Sequence, residues 1–222
     1  MFKIGLCLAA VATGASAERE GKSELVLQPE SEVGEVVVSR RPHEYLKASD
    51  LPESLDYRTE GLLTTDLNQH IPVYCGSCWA HAAFSSIADR LKIQSKGKQR
   101  DIIPSVQALI NCGTAGSCNG GDSNAANKWV YNNGIPDVTC QQYQAQNMEC
   151  SAINTCMNCD PGGGDCYAVE EYPEIKVTEY GSVKGDEEIM AEIYARGPVS
   201  AYINAVRSAC FDRTYSLKCI LA

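Results

Sequence analysis

Apolar residues recur at helical spacing just past the middle third of the chain's first half. Trp79, Ala83, Ile87 and Leu91 stand four apart, with small Ala and Ser residues filling much of the rest. One apolar face at that period predicts a helix over residues 78–93, with Ser77 at its N-cap. A short helix is predicted over 104–110, and another over 122–133 with Asp122 as cap and Gly134 as stop. Alternation around Ile175 and Val177 predicts a strand over 174–183. Asp186 is expected to cap a helix with Glu187 and Glu188 in its first turn and Arg196 in its last, ended by Gly197-Pro198. Residues 199–206 read as a further strand. Residues 18–49 are polar and acidic, with one β-like run at 35–39, and read as a short pro-segment or a disordered arm.

Composition changes this picture in three places. A chain of 222 residues fits one or two modest domains. A net charge of −9 argues against a nucleic-acid partner, which calls for a basic footprint. The opening MFKIGLCLAAVATGASA has Lys3, an apolar run and an Ala15-Ser16-Ala17 cleavage site. It reads as a signal peptide over 1–17, too short to span a bilayer. Cys7 leaves with it, so eleven of the twelve cysteines remain, in an oxidising compartment where cysteines pair. Eleven is odd, and the one left over is a reactive thiol or an intermolecular bond.

The position best built to activate a thiol is Cys78. At a helix N-terminus, the exposed N–H groups and the dipole stabilise the thiolate. Cys75, in the loop before it, most simply pairs elsewhere. The run Cys75-Gly76-Ser77-Cys78-Trp79 resembles the signature of the papain family of cysteine peptidases. Asn111-Cys112 and Ser117-Cys118-Asn119-Gly120-Gly121 are similar to that family's cysteine pair and substrate-lining glycines, and the resemblance runs over 41–206.

The resemblance implies an α+β papain-like fold: a short pro-segment over 18–50, a helical left domain over 51–170 carrying the nucleophile helix, and the start of the β-barrel right domain over 171–206. It implies thiolate attack by Cys78, an acyl-enzyme, and an oxyanion hole made by Gln69 and the Cys78 N–H. Gly120 and Gly121 would line the substrate, Gly121 pairing with its main chain. The implied disulfides are Cys75–Cys118, Cys112–Cys150, Cys140–Cys156 and Cys159–Cys166. No cofactor or metal is implied.

Gln69 lies nine residues before Cys78, where the family usually has six. The extra His70-Ile71-Pro72 resembles a carboxypeptidase subgroup, as do Arg41-Pro42-His43-Glu44-Tyr45-Leu46, Ala80-His81, Gly134-Ile135-Pro136-Asp137, Tyr143-Gln144-Ala145 and Met190 to Ala195. That subgroup removes single residues from the C-termini of peptides or proteins, in lysosomes or outside the cell. His70 would anchor the substrate's terminal carboxylate. The subgroup's pro-segment cysteine, which blocks the nucleophile, has no counterpart in 18–49.

A thiol nucleophile needs a base, placed about 130–150 residues after the cysteine in this family. The three histidines are His43, His70 and His81, and none follows His81. The family's His, its Asn-Ser-Trp-Gly segment and most of the right domain are therefore expected to be missing, through a truncated isoform or an incomplete gene model. The tail 207–222 does not resemble the family's continuation, and Cys210 and Cys219 have no counterpart.

His81 shares a helix face with Cys78, but helical side chains lean toward the N-terminus from deeper Cβ positions, which argues against it as the base. His43 reads as a solvated residue of the pro-segment, and Trp129 and Tyr131 as core. Three bland or rival readings complete the expectations: an inactive fragment that binds a peptide or another chain, a thioredoxin-like Cys75/Cys78 redox pair, and a zinc site at Cys156, Cys159 and Cys166. Trp79 follows the Cys75/Cys78 pair rather than preceding it, and no histidine lies near the other three, so both cysteine alternatives are disfavoured.

Overall fold

The structure, a computed structural model, describes residues 26–202; the signal-peptide reading of 1–17 and the questions of Cys7, Cys210 and Cys219 lie outside them. In chain order the elements are α1 (Glu30–Val33), two 3-10 turns (Pro42–Glu44 and Ala48–Asp50), α2 (Cys78–Gln94), α3 (Val106–Cys112), β1 (Gly116–Ser117), β2 (Gly120–Gly121), α4 (Ser123–Asn133), β3 (Ile135–Pro136), β4 (Met157–Cys159), β5 (Cys166–Ala168), β6 (Glu174–Ile175) and α5 (Asp186–Arg196). The strands form three antiparallel two-stranded ribbons, β1–β2, β3–β6 and β4–β5. Among the described residues this is an α+β arrangement of helices with few strands.

The core is built around α2. Trp79, Ala80, Ala83, Phe84, Ile87 and Ala88 are buried on it, the face that the four-residue spacing marks. Alanines at 80, 83 and 88 let neighbouring backbones approach, and α4 brings Ala125, Ala126 and Val130 to the cluster while α3 brings Val106, Leu109 and Ile110. Gly121 shows how tight the fit is: a Cβ there would stand 2.6 Å from the Trp79 ring and 2.7 Å from the Ala115 carbonyl. Helix α4 ends at Gly134, whose φ of 75° suits a residue without a side chain.

Several local expectations need correction. The strand expected over 174–183 is only Glu174–Ile175, plus a single bridge from Tyr180 to Val36. Residues 199–202 form no strand, and 203–206 lie outside the described residues. The short helix begins at Val106 rather than 104, with Ser105 capping it by accepting from Ala108 N. Asp186 is the first residue of α5, not its cap, which is Gly185. Tyr131 is not core: it is partly exposed, with its ring against Tyr180. Trp129 packs half-buried against the core.

Residues 26–41 do not form a disordered arm either. They form a strap along the surface. Val33 is 6% exposed, Val36 exchanges two 2.8 Å backbone hydrogen bonds with Tyr180, and the Tyr180 hydroxyl donates to the Val33 carbonyl. The Glu179 carboxylate accepts from the backbone N–H groups of Val38 and Ser39 and pairs with Arg196, which also donates to the Arg40 carbonyl. Sequence periodicity misses this because the strap is held by polar groups from residues more than a hundred positions away. No helix among the described residues is long and apolar enough to cross a membrane.

Candidate active site

Cys78 is the first residue of α2 and is half-buried. The loop before it is pinned twice. Cys75 is bonded to Cys118, and the Gly76 N–H donates to the Cys118 carbonyl at 2.8 Å. The side chain after Cys78 fixes the facing strand, since Trp79 Nε1 donates to the Ser117 carbonyl at 3.1 Å while Ser123 Oγ donates to the Trp79 carbonyl. These bonds bring β1 and β2, including Gly120 and Gly121, against the start of α2.

The loop of residues 68–74 carries Gln69 and His70. Gln69 is 1% exposed, its Oε1 is buried without a hydrogen-bond partner, and its Nε2 lies 3.4 Å from His70 Nε2. The Cys75 N–H donates to His70 Nδ1 at 3.4 Å, and the His70 ring stacks on Tyr74 at 4.5 Å. Ile71, Val73 and Tyr74 stand exposed on the same loop.

His81 sits one turn below Cys78, 2% exposed. Burial holds its pKa below the usual 6.5; a hydrogen bond to the Ser77 backbone opposes that, and His70 adds to it. Its Nδ1 lies 3.1 Å from the Ser77 carbonyl and 3.2 Å from Ser77 Oγ. Ser77 holds the N-cap position of α2, but its hydroxyl makes no cap bond and turns to His81 and Tyr143 instead. Tyr143, whose motif the sequence singled out only as a likeness, donates to the Gln69 carbonyl at 2.7 Å. His43 is exposed on the first 3-10 turn.

The other named cysteines are bonded as Cys112–Cys150, Cys140–Cys156 and Cys159–Cys166. Their sulfurs are thus committed to sulfur, and no group of three or more His, Cys, Asp or Glu among the described residues is placed to hold a metal.

Two contacts near the glycines had no sequence signal. The Val26 N–H donates to the Gly121 carbonyl at 3.2 Å, and Gln28 adds bonds to Asp122 and to the Thr114 carbonyl. From the far end of the described chain, the Tyr202 hydroxyl accepts from Ser123 N at 2.6 Å. Each joins residues about eighty or more positions apart, which no local pattern reports.

Comparison with known proteins fits this geometry. The family model described as "Papain family cysteine protease" matches residues 51–216, so the likeness continues past residue 206, where the motifs alone stop. Cathepsin Z of Onchocerca volvulus is 41% identical over 72% of this chain and 52% of its own length. A gut-specific cysteine proteinase of Caenorhabditis elegans is 34% identical over 57% of this chain and 42% of its own. The chain thus spans about half the length of the curated relatives it matches. Among solved structures, digestive procathepsin L2 of Tenebrio molitor overlays with a TM-score of 0.50 at 28% identity, covering 60% of this chain and 42% of that one. With a family match over most of its length and Cys78 outside the disulfides at the head of α2, the chain belongs to the papain family of cysteine proteases.

Proposed function

We propose that the chain carries the nucleophile half of a cathepsin Z-like carboxypeptidase. The observation that carries this is the placement of Cys78: a thiol at the N-terminus of α2, with Cys75 removed into a disulfide and the Gln69–His70 loop folded back toward it. Cys78 is the nucleophile. Gln69 and the Cys78 N–H form the oxyanion hole, donating to the oxygen that gains charge as the thiolate adds. Gly120 and Gly121 receive the substrate main chain. His70 anchors the terminal carboxylate of a peptide, and the exposed Ile71–Tyr74 rim favours substrates that end there. In this reading the helical domain spans 51–170 and the second domain begins near 171. The disulfides suit the oxidising secretory route, lysosomal or extracellular.

The strap at Val26–Gln28 occupies the Gly121 carbonyl that a substrate would use. It supports latency by non-covalent cover, in place of the blocking cysteine that 18–49 lacks.

A polypeptide of these 222 residues is expected to hydrolyse peptides poorly. His81 is buried, and burial lowers its pKa, which disfavours it as the acceptor of the Cys78 proton. Loss of the base in a triad enzyme costs on the order of 10⁶ in turnover. The test is C-terminal residue release by the purified chain alongside alkylation of Cys78 by iodoacetamide. Alkylation at Cys78 without hydrolysis fits the proposal. Robust release that Cys78→Ala abolishes would overturn the inactivity, and a Cys78–Cys75 bond in the native protein would favour redox chemistry instead.

A further inference from the structure

The Ser77, His81 and Tyr143 side chains have no role in the reaction proposed above, yet they form a buried chain that ends on Gln69. Its hydrogen bonds can point only one way. The Tyr143 hydroxyl donates to the Gln69 carbonyl at 2.7 Å. That uses its one hydrogen, so at its 2.7 Å contact with Ser77 Oγ the serine donates. Ser77 Oγ, its hydrogen spent, accepts from His81 Nδ1 at 3.2 Å. The same nitrogen faces the Ser77 carbonyl at 3.1 Å, and a carbonyl only accepts, so Nδ1 carries the hydrogen. The edge of one ring packs on the other, His81 against Tyr143 at 4.8 Å and 89°. Gln69, Ser77 and His81 are each 2% exposed or less, so a lost link could not be replaced by bulk water.

Two members of this chain adjoin the two donors proposed above for the oxyanion hole. One is the main chain of Gln69, in a loop with no helix or strand to hold it. The other is Ser77, the middle link, whose peptide leads into the Cys78 N–H. We propose that Tyr143 is a positioning residue: its hydroxyl fixes the distance between the Gln69 loop and the start of α2, and so holds the Gln69 amide where an oxyanion forms. The aromatic ring supplies the reach and the rigidity, because a hydroxyl on a ring packed against His81 has little freedom to drift. A donor in an oxyanion hole works only within a few tenths of an ångström of its place, which is why a residue distant in sequence matters to it. This inference rests on the reading of Cys78 as nucleophile and Gln69 as oxyanion donor.

The test compares two reagents on the 222-residue chain. A small acetyl-amino aldehyde adds reversibly to Cys78: one C–S bond forms, the carbonyl π bond breaks, and the thiol proton ends on the former aldehyde oxygen, which lies in the oxyanion hole. Iodoacetamide alkylates the same sulfur with loss of iodide and needs no hole. Tyr143→Phe is expected to weaken aldehyde affinity about tenfold while leaving the iodoacetamide rate within about twofold. Ser77→Ala, which removes the middle link, should act in the same direction. In a Gln69→Ala background, Tyr143→Phe should add nothing, because it acts through Gln69. Wild-type aldehyde affinity in Tyr143→Phe, with Gln69→Ala weakened, overturns the inference alone. An equal fall with both reagents also overturns it, since the tyrosine would then serve Cys78 or the fold at large. An unaffected Gln69→Ala, or a wild-type chain that forms no adduct, sinks the underlying reading of the site.

Discussion

Around α2 the chain buries Trp79, Phe84, Leu109 and Ile135 almost completely and ties the neighbouring loops with Cys75–Cys118. Across the molecule, the strap meets Glu179, Tyr180 and α5 through hydrogen bonds, flanked by partly wet ion pairs, Arg41–Glu35 within the strap and Arg196–Glu179 beside it. Area removed from water and a covalent bond hold the α2 side; directional polar contacts hold the strap side. Buried apolar surface contributes strongly and without regard to salt, whereas exposed ion pairs contribute about 0–1 kcal/mol and are screened. Under the proposed latency, the element that must leave is the one held by contacts that water can replace.

The largest expected effect is on the α2 side. Trp79→Ala removes a ring with no exposure and its bond to the Ser117 carbonyl. It should cost about 3–5 kcal/mol in denaturant unfolding. Val33→Ala, the most buried apolar position on the strap, should cost less than half of that; equal losses would erase the contrast.

Next comes the staple. Cys75→Ser opens a link that spans 43 residues and is expected to cost about 2–4 kcal/mol. It should also raise the exposure of Cys78 to alkylating reagents. A variant as stable as the parent would show that burial alone holds the loop.

The two sides should also separate by pH. His81 has its pKa lowered by burial, opposed by the Ser77 backbone bond and helped by His70. Its neutral form supports the fold above pH 6.5, and that support is lost as pH falls below 6.5 toward the depressed folded value. Thermal stability followed across that window should fall in the parent and stay flatter in His81→Phe. For Glu179, burial raises the pKa, but hydrogen bonds from Ser39 and Val38 and the Arg196 charge outweigh it and leave it lowered. Its contribution is present above the usual 4.5 and disappears as pH drops through the lowered value, so the strap should loosen only in stronger acid.

The smallest effect tests the strap alone. Glu179→Gln keeps the shape and removes the charge that faces Arg196. Global stability should change by about 1 kcal/mol or less. Limited proteolysis within residues 26–41 should nevertheless speed up, and raising salt should mimic the variant in the parent. A strap as resistant as before would mean that its backbone bonds to Tyr180 suffice.

Helix α2 was legible in advance because its apolar residues repeat every four positions and its small residues mark a crowded neighbourhood; α4 was legible from Asp122 and Gly134. Both signals are local and come from the residues that form the element. The strand expected over 174–183 failed because alternation marks a half-buried surface without saying whether a partner strand runs alongside it. At Tyr180 the partner is one residue of the strap. Ser77 failed as a side-chain cap for a similar reason: two buried neighbours, His81 and Tyr143, compete for its hydroxyl. Gln69, His70 and Cys78 were legible as site candidates through their spacing and family likeness, whereas Tyr143, Val26 and Tyr202 entered the site only through contacts made across the fold.

By itself the sequence determined helix α2, the family and the set of candidate site residues, since a short motif and a helical period depend on neighbours along the chain. Only the tertiary structure decided that the strap lies on Gly121, and that Gln69 is joined through Tyr143 and Ser77 to the head of α2. Those are contacts between residues tens of positions apart or more, and they exist because burial of one apolar face brings their loops together and leaves each buried polar group to be satisfied by whatever arrives beside it.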